Sequence, residues 1–361
     1  MFRILIFTKF FGVGGGGHPE ALLLMSKALR KKIIFDVYTS DGISQNIGDK
    51  GNLKSISRKK NKKLKIDSYN AFIICGSWQI KILLFLLIAK FKKRKIIYMP
   101  KGNLNRYEFY SYKVFYKLPI LFTIEILKIL LSDLIIYTSK LEKKYCFSSF
   151  FKFKKNTIIA DYYTPIKKSV LRNISKKRGI YNFGFIAQYS KIKSLIECID
   201  AFDMICNIYP KKKLFLNIAG TPKNNSSKYH NNVIKKIASS NYRKRIKVLG
   251  QVGGINKKIF YKKMNLILYP SKFESFGIIP FECIQYKCNI LTSHFVGALE
   301  NVKSKNIYKI KKITKNNITK GMRYFLKNSH KNRFKLTIEK FNFLILSNSK
   351  KLYCHLTSYK L

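Results

Sequence analysis

Short apolar runs alternate with longer amphipathic stretches along most of the chain. Each run is rich in Ile, Leu, Val, Phe or Tyr and has the length of a strand, whereas the intervening stretches show helical spacing. This alternation predicts parallel sheets with crossover helices, an α/β architecture. The predicted strands are RILIFT, IIFDVYTS, AFIICG, KIIYMP, DLIIYTS and NTIIA in the first half, and FGFIA, KLFLNIAG, RIKVLG, NLILYP and NILTS in the second.

A polar, basic segment at 164–182 interrupts the alternation, and we place a domain boundary there. The length of 361 residues also exceeds what one hydrophobic core usually organises. We therefore predict a first domain at 1–170, a second domain at 178–335 and a helical segment at 336–361.

Two stretches, 80–91 and 118–139, are apolar enough to raise the question of a membrane span. The first is too short, and the second contains Glu125, Lys128 and Asp133, so neither predicts a span. Lysine-rich sequence flanks both stretches, which is typical of helices that lie in a membrane interface. A buried helix of an α/β domain explains the same pattern, and both interpretations stay open.

The net charge of the chain indicates the sign of the charge on its partners. The chain has 72 Lys and Arg residues against 17 Asp and Glu residues, a formal charge of +55. Such a charge favours anionic partners, including nucleic acid, anionic lipid and phosphorylated small molecules. A lysine-rich bias of the whole composition explains part of the excess. The densest basic run, 58–65, indicates a solvated loop first and attraction to a membrane second.

The residue types that bind metals are too scattered to predict a metal site. The seven cysteines include no C-x-x-C pair, the five histidines include no pair at ligand spacing, and no D-x-D pair is present. We expect neither a metal nor another cofactor. The cysteines fit a reducing compartment, and the N-terminus predicts a strand and not a signal peptide. The expected location is the cytoplasm.

A glycine-rich stretch, FGVGGGGHPE at 11–20, follows the first predicted strand and precedes a helix that Pro19 would open. Residues 12–17 satisfy G-x-G-x-x-G, which favours a nucleotide-dependent oxidoreductase. A run so rich in glycine matches many patterns, however, and a tight turn explains it equally. What the glycine run does predict is that backbone N–H groups near Gly15 and Gly16 can approach an anion or a sugar.

The stretch ESFGIIPFE at 274–282 begins and ends with a carboxylate in a chain that has few of them. NLILYP before it predicts a strand, and Pro280 predicts the start of a helix. Glu274 then lies in the loop at the carboxyl end of a strand, where open α/β sheets bind ligands, and Glu282 lies in the first helical turn. The two carboxylates can face different parts of one ligand. Alternatively, Glu282 complements the helix dipole and Glu274 is a surface charge.

These residues resemble a known family. YPSKFESFGIIPFE resembles the E-x7-E signature of the retaining glycosyltransferases of family 4, which have the GT-B fold. GVGGGGHPEALLLMSKAL is similar to the glycine loop and first helix of that family, and PKGNL at 100–104 is similar to its Pro-Arg/His-Gly-Met-Leu turn. The resemblance covers most of residues 1–330. It implies two Rossmann-like domains whose parallel sheets face a central cleft.

The resemblance also implies a role for each matching residue. Glu274 would contact hydroxyls of the transferred sugar, and Glu282 would hold the ribose of the nucleotide. Lys193 would neutralise the diphosphate, and the backbone amides of Phe276 and Gly277 would meet the sugar and the diphosphate. We therefore expect Glu274 and Lys193 to be catalytic. The expected ligand-binding residues are Glu282, Ser275, Phe276, Gly277 and Gln188, with Gly15 and Gly16 in the first domain.

Three places depart from the family pattern. The Gly-Arg pair that precedes the lysine is Ala-Gln at 187–188, so one cation for the diphosphate is missing, and Lys191 is the nearest replacement. The Asn-Gly of the interdomain turn is Asp-Tyr at 161–162, and Gly-Gly-x-x-Glu is Gly-Ala-Leu-Glu at 297–300. Because a lost charge-assisted phosphate contact costs about 1.5–3 kcal/mol, a weakened or inactive relative stays an alternative.

Together these observations predict a metal-independent, retaining glycosyltransferase. It would move a sugar from a nucleotide-sugar to a glycan or lipid-linked glycan during bacterial-type assembly of lipopolysaccharide, capsule or O-antigen. Its location would be cytoplasmic and peripheral, on the inner face of the cytoplasmic membrane, with anionic lipid as a partner.

Two other classes of function compete with this prediction. An oxidoreductase would use the first glycine loop but would leave ESFGIIPFE unexplained. A nonenzymatic nucleic-acid binder would use the charge of +55. Because no RRM, KH or OB pattern is present in the sequence, we expect no nucleic-acid partner.

Overall fold

The computed structural model describes residues 2–8, 11–12, 22, 25–26, 29, 32–39, 43–44, 53–57, 66–77, 82–105, 114–149, 156–159, 179–222, 228–300, 302–328 and 352–357. The chain divides into two compact units. Residues Met1–Pro165 and Phe341–Leu361 form the first unit, and Ile166–Lys340 form the second. The predicted linker at 171–177 lies outside the described residues.

The first unit is built on a parallel sheet. Its strands are β1 (Phe2–Thr8), β3 (Ile33–Thr39), β5 (Leu53–Ser57), β6 (Ala71–Cys75), β7 (Lys95–Met99), β8 (Leu134–Tyr137) and β9 (Asn156–Ile159), and two-residue strands β2 (Phe11–Gly12) and β4 (Ile43–Ser44) pair separately. The 7-stranded sheet has the order β5-β3-β1-β6-β7-β8-β9. Every neighbouring pair in it is parallel.

Within the described residues of the first unit, four helices lie between strands β6 and β9. They are α1 (Leu83–Phe91), α2 (Val114–Ile120), α3 (Ile126–Leu131) and α4 (Lys140–Tyr145), with 3-10 turns at Ile66–Ser68 and Phe147–Ser149. A π-helical turn, Leu121–Glu125, joins α2 to α3, so residues 114–131 form one uninterrupted helix. Pro119 inside α2 lacks a backbone donor, and the wider π turn follows it.

The second unit repeats the plan with a 6-stranded parallel sheet. Its strands are β10 (Ile180–Ile186), β11 (Lys213–Ala219), β12 (Ile246–Gly250), β13 (Leu266–Tyr269), β14 (Asn289–Ser293) and β15 (Ile307–Ile310). The strand order is β12-β11-β10-β13-β14-β15. The helices are α5 (Leu195–Ile208), α6 (Lys228–Ala238), α7 (Gly254–Lys263), α8 (Ile279–Gln285) and α9 (Lys315–Asn328), with 3-10 turns at Arg243–Arg245 and Gly297–Leu299.

Each unit has its own core, and both faces of the first sheet are covered. Along β1, Ile4 and Ile6 face one core cluster while Leu5 and Phe7 face the other, as the alternation of a strand requires. Burial on both faces explains why the central strands are continuously apolar. The fully buried strands therefore carried the strongest sequence signal.

The end of the chain packs against the beginning. Residues 352–357 are helical, and Leu352 and Leu356 belong to the same core cluster as Ile4 of β1. Lys95 Nζ donates a hydrogen bond of 2.5 Å to the backbone oxygen of His355. The described part of the predicted helical segment 336–361 is thus a component of the first unit.

Among the residues that the structure describes, no helix combines the length and apolar character needed to cross a bilayer. The stretch 80–91 contains α1, and the stretch 118–139 is divided among α2, the π turn, α3 and β8.

Candidate active site

The candidate site lies where two neighbouring strands of the second sheet end. Strands β10 and β13 are adjacent and parallel although β11 and β12 separate them in sequence. The strand order reverses there, which is the position at which open α/β sheets bind ligands. The backbone N–H of Lys272 donates to Ile192 O at 2.8 Å, and Ser271 Oγ lies 3.2 Å from the same oxygen. These contacts join the two loops that carry the predicted catalytic residues.

Lys193 and Glu274 form an ion pair between those loops. Lys193 Nζ contacts Glu274 Oε1, and Ser271 Oγ donates to the same carboxylate oxygen at 2.8 Å. The ammonium also lies 5.6 Å from the centre of the Tyr269 ring, a cation–π distance. Both members of the pair are partly exposed. The fold therefore brings together the two residues that we expect to be catalytic, at a position that a ligand can reach.

The loop after β13 is held in place by the segment after β14. The backbone N–H of Glu274 donates to Phe295 O at 2.8 Å, and Gly297 N–H donates to Glu274 O at 3.1 Å. Ala298 N–H then donates to Phe276 O at 2.8 Å. The Gly-Ala-Leu-Glu segment, where the sequence departs from the family pattern, thus contributes two of these bonds through its backbone. Because these bonds use backbone atoms, the presence of Ala298 in place of the family's glycine does not prevent them.

Gly277 has a backbone conformation that other residues adopt with strain, since its φ is +92°. A Cβ atom there would also lie 3.0 Å from Val296 Cγ1. Next to it, the rings of Phe276 and Phe281 stack with their centres 5.1 Å apart, and Ser275 is partly exposed. The glycine and the aromatic pair together fix the course of the loop between the two carboxylates.

Glu282 lies in the first turn of α8, after Pro280, as the sequence predicts. Tyr261 OH donates a hydrogen bond of 2.6 Å to Glu282 Oε2, and Lys257 Nζ pairs with Glu282 Oε1. Burial and the neighbouring Glu282 carboxylate raise the pKa of Tyr261 well above its usual value, so its hydroxyl stays a donor. Tyr261 and Lys257 were not predicted. Their spacing of four on α7, which places them on one face, was the available signal.

Gln188 and Lys191 lie on the loop after β10 that also carries Lys193, and both side chains are exposed. This loop runs close to the end of β11, because a Cβ at Gly220 would lie 1.9 Å from Ala187 O. Only glycine permits that approach. The fold thus leaves the Gln188 and Lys191 side chains accessible to an anion, and neither residue belongs to the ion pairs of Glu274 and Glu282.

Gly15 and Gly16 lie outside the described residues, as does the rest of the loop at 13–20. Their predicted part in ligand binding, and the oxidoreductase alternative that relies on the same loop, stay predictions. In the described part of the chain, no three His, Cys, Asp or Glu side chains form a group that could hold a metal ion.

The PKGNL turn at 100–104 follows β7 in the first unit and is fastened by a carboxylate that sequence reasoning missed. Buried Glu142 accepts hydrogen bonds from the backbone N–H of Gly102 at 2.5 Å and of Thr138 at 2.6 Å. Burial raises the pKa of Glu142, while these hydrogen bonds and the nearby Lys101 oppose the shift. The turn is therefore a rigid element at the carboxyl edge of the first sheet.

A family model matches the second unit of the chain. Residues 169–340 match the family model described as Glycosyl transferases group 1. This match covers the second unit and both carboxylates of ESFGIIPFE. A search of curated protein sequences finds no match.

Solved structures resemble the whole chain. HepE from Anabaena, in complex with UDP and glucose, is 14% identical over 99% of this chain and 100% of that chain, with a TM-score of 0.78. Sucrose-phosphate synthase from Thermosynechococcus elongatus is 13% identical over 99% of this chain and 100% of that chain, with a TM-score of 0.73. WaaG, a glycosyltransferase involved in lipopolysaccharide biosynthesis, is 12% identical over 99% of this chain and 100% of that chain, with a TM-score of 0.69.

These similarities confirm the predicted fold class. The protein has two Rossmann-like α/β units with parallel sheets, matching the structures of GT-B glycosyltransferases. The second unit carries the similarity to glycosyl transferases of group 1. The predicted cleft between the units and the narrower assignment to family 4 stay predictions.

Proposed function

We propose that the protein is a glycosyltransferase that transfers a sugar from a nucleotide-sugar to a glycan acceptor. The observation that carries the proposal is the ion pair of Lys193 and Glu274 at the switch point between β10 and β13, with Glu282 in the first turn of the helix that follows. The match of the second unit to glycosyl transferases of group 1 supports the same class. Because structures of Anabaena HepE contain UDP or UDP-glucose, a uridine diphosphate sugar is the first donor to test.

Lys193 stabilises the leaving group in this proposal. When the bond between the anomeric carbon and the diphosphate breaks, its electron pair passes to the leaving phosphate oxygen. A cation already held at that place lowers the barrier, because it need not reorganise as the charge develops. The Lys193 ammonium is paired with Glu274, and this pair holds it in position for the diphosphate. The leaving nucleoside diphosphate then takes over part of that ion pair.

Glu274 receives the sugar. Its carboxylate accepts hydrogen bonds from sugar hydroxyls, while Ser271 Oγ holds one carboxylate oxygen at 2.8 Å. The acceptor hydroxyl forms the new bond to the anomeric carbon, and its proton passes to the departing diphosphate. The products are the glycoside and a nucleoside diphosphate. We propose retention of anomeric configuration, as in the family that the sequence resembles, with the diphosphate as the proton acceptor.

Glu282 holds the ribose of the donor. Tyr261 fixes one carboxylate oxygen at 2.6 Å, so the other oxygen can exchange the partly exposed ammonium of Lys257 for a ribose hydroxyl. The backbone amides of Phe276 and Gly277 meet the sugar and diphosphate, and Gln188 lies beside the diphosphate with Lys191 as a nearby cation. Ser275 lies within the same loop.

The acceptor is a glycan or lipid-linked glycan of surface polysaccharide assembly, reached at the inner face of the cytoplasmic membrane. WaaG, which has a similar fold, is a glycosyltransferase involved in lipopolysaccharide biosynthesis, and this supports the proposed setting. The high net charge of +55 supports an anionic membrane surface as a partner.

A panel of nucleotide-sugars tests the proposal. Purified protein is incubated with UDP-, GDP-, ADP- and dTDP-sugars, and thermal protection and released nucleoside diphosphate are both measured. We expect one nucleotide class to raise the melting temperature, since a ligand that binds only the folded state stabilises it. A Glu282→Ala variant should lose that protection. Absence of protection by every nucleotide-sugar would overturn the donor assignment.

Glu282→Ala should weaken binding of the matching nucleoside diphosphate about 10- to 100-fold, because a ribose bonded to a charged group contributes about 1.5–3 kcal/mol. Tyr261→Phe should weaken binding less, about threefold to tenfold, since Glu282 stays but loses the bond that fixes one oxygen. Titration calorimetry measures both affinities. Tyr286→Phe is the matched control, because that ring stacks on Tyr261 with centres 5.6 Å apart. Equal affinities in wild type and Glu282→Ala would remove Glu282 from the nucleotide site.

Transfer should survive EDTA, because we propose that Lys193 and backbone amides stabilise the diphosphate without a divalent ion. Initial rates with the identified donor are measured after dialysis against chelator, and again after addition of Mg²⁺ or Mn²⁺. The expected rates agree within about twofold. Loss of activity in chelator with recovery in Mg²⁺ would replace the lysine-based mechanism by a metal-assisted one.

A further inference from the structure

The helix formed by residues 114–131 is apolar on the side that faces solvent. Its exposed large apolar side chains form a stripe in which they recur every three to five residues, with the longest interval across the wider π turn, and Phe115 is 85% exposed. The members of this stripe are Phe115, Leu118, Phe122, Leu127 and Leu130. An ordinary surface helix presents polar residues to water on that side.

Helix α1 extends this apolar surface. Leu84, Leu87 and Phe91 lie three and four positions apart, on one side of the helix, and Phe91 is 90% exposed. Helix α1 contacts α3, and the buried side chains of both helices join the same core cluster on one face of the first sheet. The exposed sides of both helices therefore point away from that sheet. We call these eight exposed side chains the apolar face.

The inward side of the 114–131 helix carries an ion pair. Lys128 Nζ contacts Glu125 Oε1 at 2.7 Å, and both side chains are fully buried. Tyr98 OH donates to Glu125 Oε2 at 2.7 Å and lies 2.7 Å from Ser77 Oγ. Among the described side chains of the helix, the Glu125–Lys128 pair is thus inside while five large apolar residues are exposed, which is unlike the common arrangement. The fold itself leaves the apolar face uncovered.

A contiguous apolar surface of this kind marks an interaction site. Its surroundings are cationic: Lys90, Lys92 and Lys93 are exposed around Phe91 at the end of α1. Asp133 and Asp67 pair with Lys90 and Lys92, so these five side chains together carry an excess of one positive charge. Apolar side chains bordered by cations fit an anionic lipid surface, which accepts both. A second copy of this chain would bring a like charge of +55 to the same contact.

We propose that α1 and the 114–131 helix lie in the interface of an anionic membrane, with the apolar face inserted below the headgroups. Phe91, Phe115 and Phe122 enter deepest, and the lysines at the end of α1 contact the headgroups. This proposal rests on the proposed function in one respect only: a lipid-linked acceptor would explain why the enzyme binds a membrane. The surface itself is independent of the transfer reaction.

Cosedimentation of the full chain with vesicles tests the surface. The probes are vesicles of phosphatidylcholine alone and vesicles of equal parts phosphatidylcholine and phosphatidylglycerol, at low and high salt. Binding should require phosphatidylglycerol, and it should weaken with salt because the attraction is screened. A salt-resistant fraction should remain, since salt does not screen the hydrophobic contribution of the inserted side chains. Equal binding to both lipids, or no binding, would overturn the proposal.

Paired variants locate the binding surface. Phe115→Ser with Phe122→Ser should reduce the salt-resistant binding at least about tenfold, because two large apolar side chains no longer leave water. Leu84→Ser with Leu87→Ser should act in the same direction from α1. The control pair is Val248→Ser with Ile255→Ser in the second unit, where the original side chains are 51% and 53% exposed. It should bind as the wild type does.

Two further measurements separate this proposal from its alternatives. Circular dichroism and nucleotide affinity should be unchanged in the Phe115 and Phe122 variant, because both exposed side chains lie in the first unit. If sedimentation equilibrium shows that this variant turns a dimer into a monomer while vesicle binding is unaffected, the apolar face binds a second copy. Vesicle binding without any nucleotide binding would overturn the transferase proposal and leave the membrane surface standing.

Discussion

Glu274→Gln should lower turnover about 10²- to 10³-fold, while the affinity for the nucleoside diphosphate stays equal or rises up to about threefold. The substitution keeps the size of the side chain but removes the charge that contacts the reacting sugar. It also releases Lys193 from its ion pair, and the freed ammonium can bind the diphosphate at least as well. Single-turnover rates and titration calorimetry, made on the same preparation, measure the two effects separately.

Ser271→Ala is the matched control for this substitution. It removes the 2.8 Å hydrogen bond to Glu274 Oε1 and leaves both charges in place. We expect a loss of turnover of about threefold to tenfold, since one neutral hydrogen bond contributes about 1 kcal/mol. A variant at Glu274 that loses turnover and nucleotide affinity to the same extent would show that the residue supports the fold of the loop and not the reacting sugar.

Lys128→Met should destabilise the first unit by about 3–5 kcal/mol. The substitution leaves the carboxylate of Glu125 buried without its ammonium partner, and an uncompensated charge in the interior is costly. Glu125→Gln in the same chain should recover most of the loss, because an amide oxygen can still accept the hydrogen bond from Tyr98. The buried pair is thus tested as a pair.

Urea unfolding followed by tryptophan fluorescence measures this effect. The chain has one tryptophan, Trp78, and it belongs to the first unit, so its signal reports on that unit. Lys90→Met is the control, because it removes an ion pair with Asp133 of the same 2.7 Å length at the surface. We expect that change to stay below about 1 kcal/mol. Equal losses in the two variants would mean that burial of the Glu125 pair is energetically unimportant.

Strands were the most predictable part of the fold. All eleven predicted strands are present, and their bounds differ from the apolar runs by a few residues at most. The two-residue strands β2 and β4 were not predicted. Strands β5 and β15 were missed because LKSIS and IYKI mix polar and apolar residues within few positions. Both lie at the edge of their sheet, where burial imposes a weaker pattern.

The carboxylates of the site were visible in the sequence, but their partners were not. Glu274 and Glu282 stand out because acidic residues are scarce and because a strand and a proline frame them. Ser271, Tyr261 and Lys257 contribute hydrogen bonds and an ion pair that depend on how the loops and helix α7 meet. Lys193 is 81 positions from Glu274, and only the adjacency of β10 and β13 brings them together.

The sequence by itself determined the α/β class and the loop that bears the carboxylates, because strand burial and turn chemistry act over a few neighbouring residues. The orientation of the 114–131 helix was decided by tertiary structure alone. Its pattern is apolar nearly all round, so helical periodicity cannot choose which side faces the sheet. The buried hydroxyl of Tyr98 favours the observed orientation, since it donates to Glu125 on the inward side of the helix. Turning that carboxylate inward, with Lys128 to neutralise it, turns Phe115 and Phe122 outward.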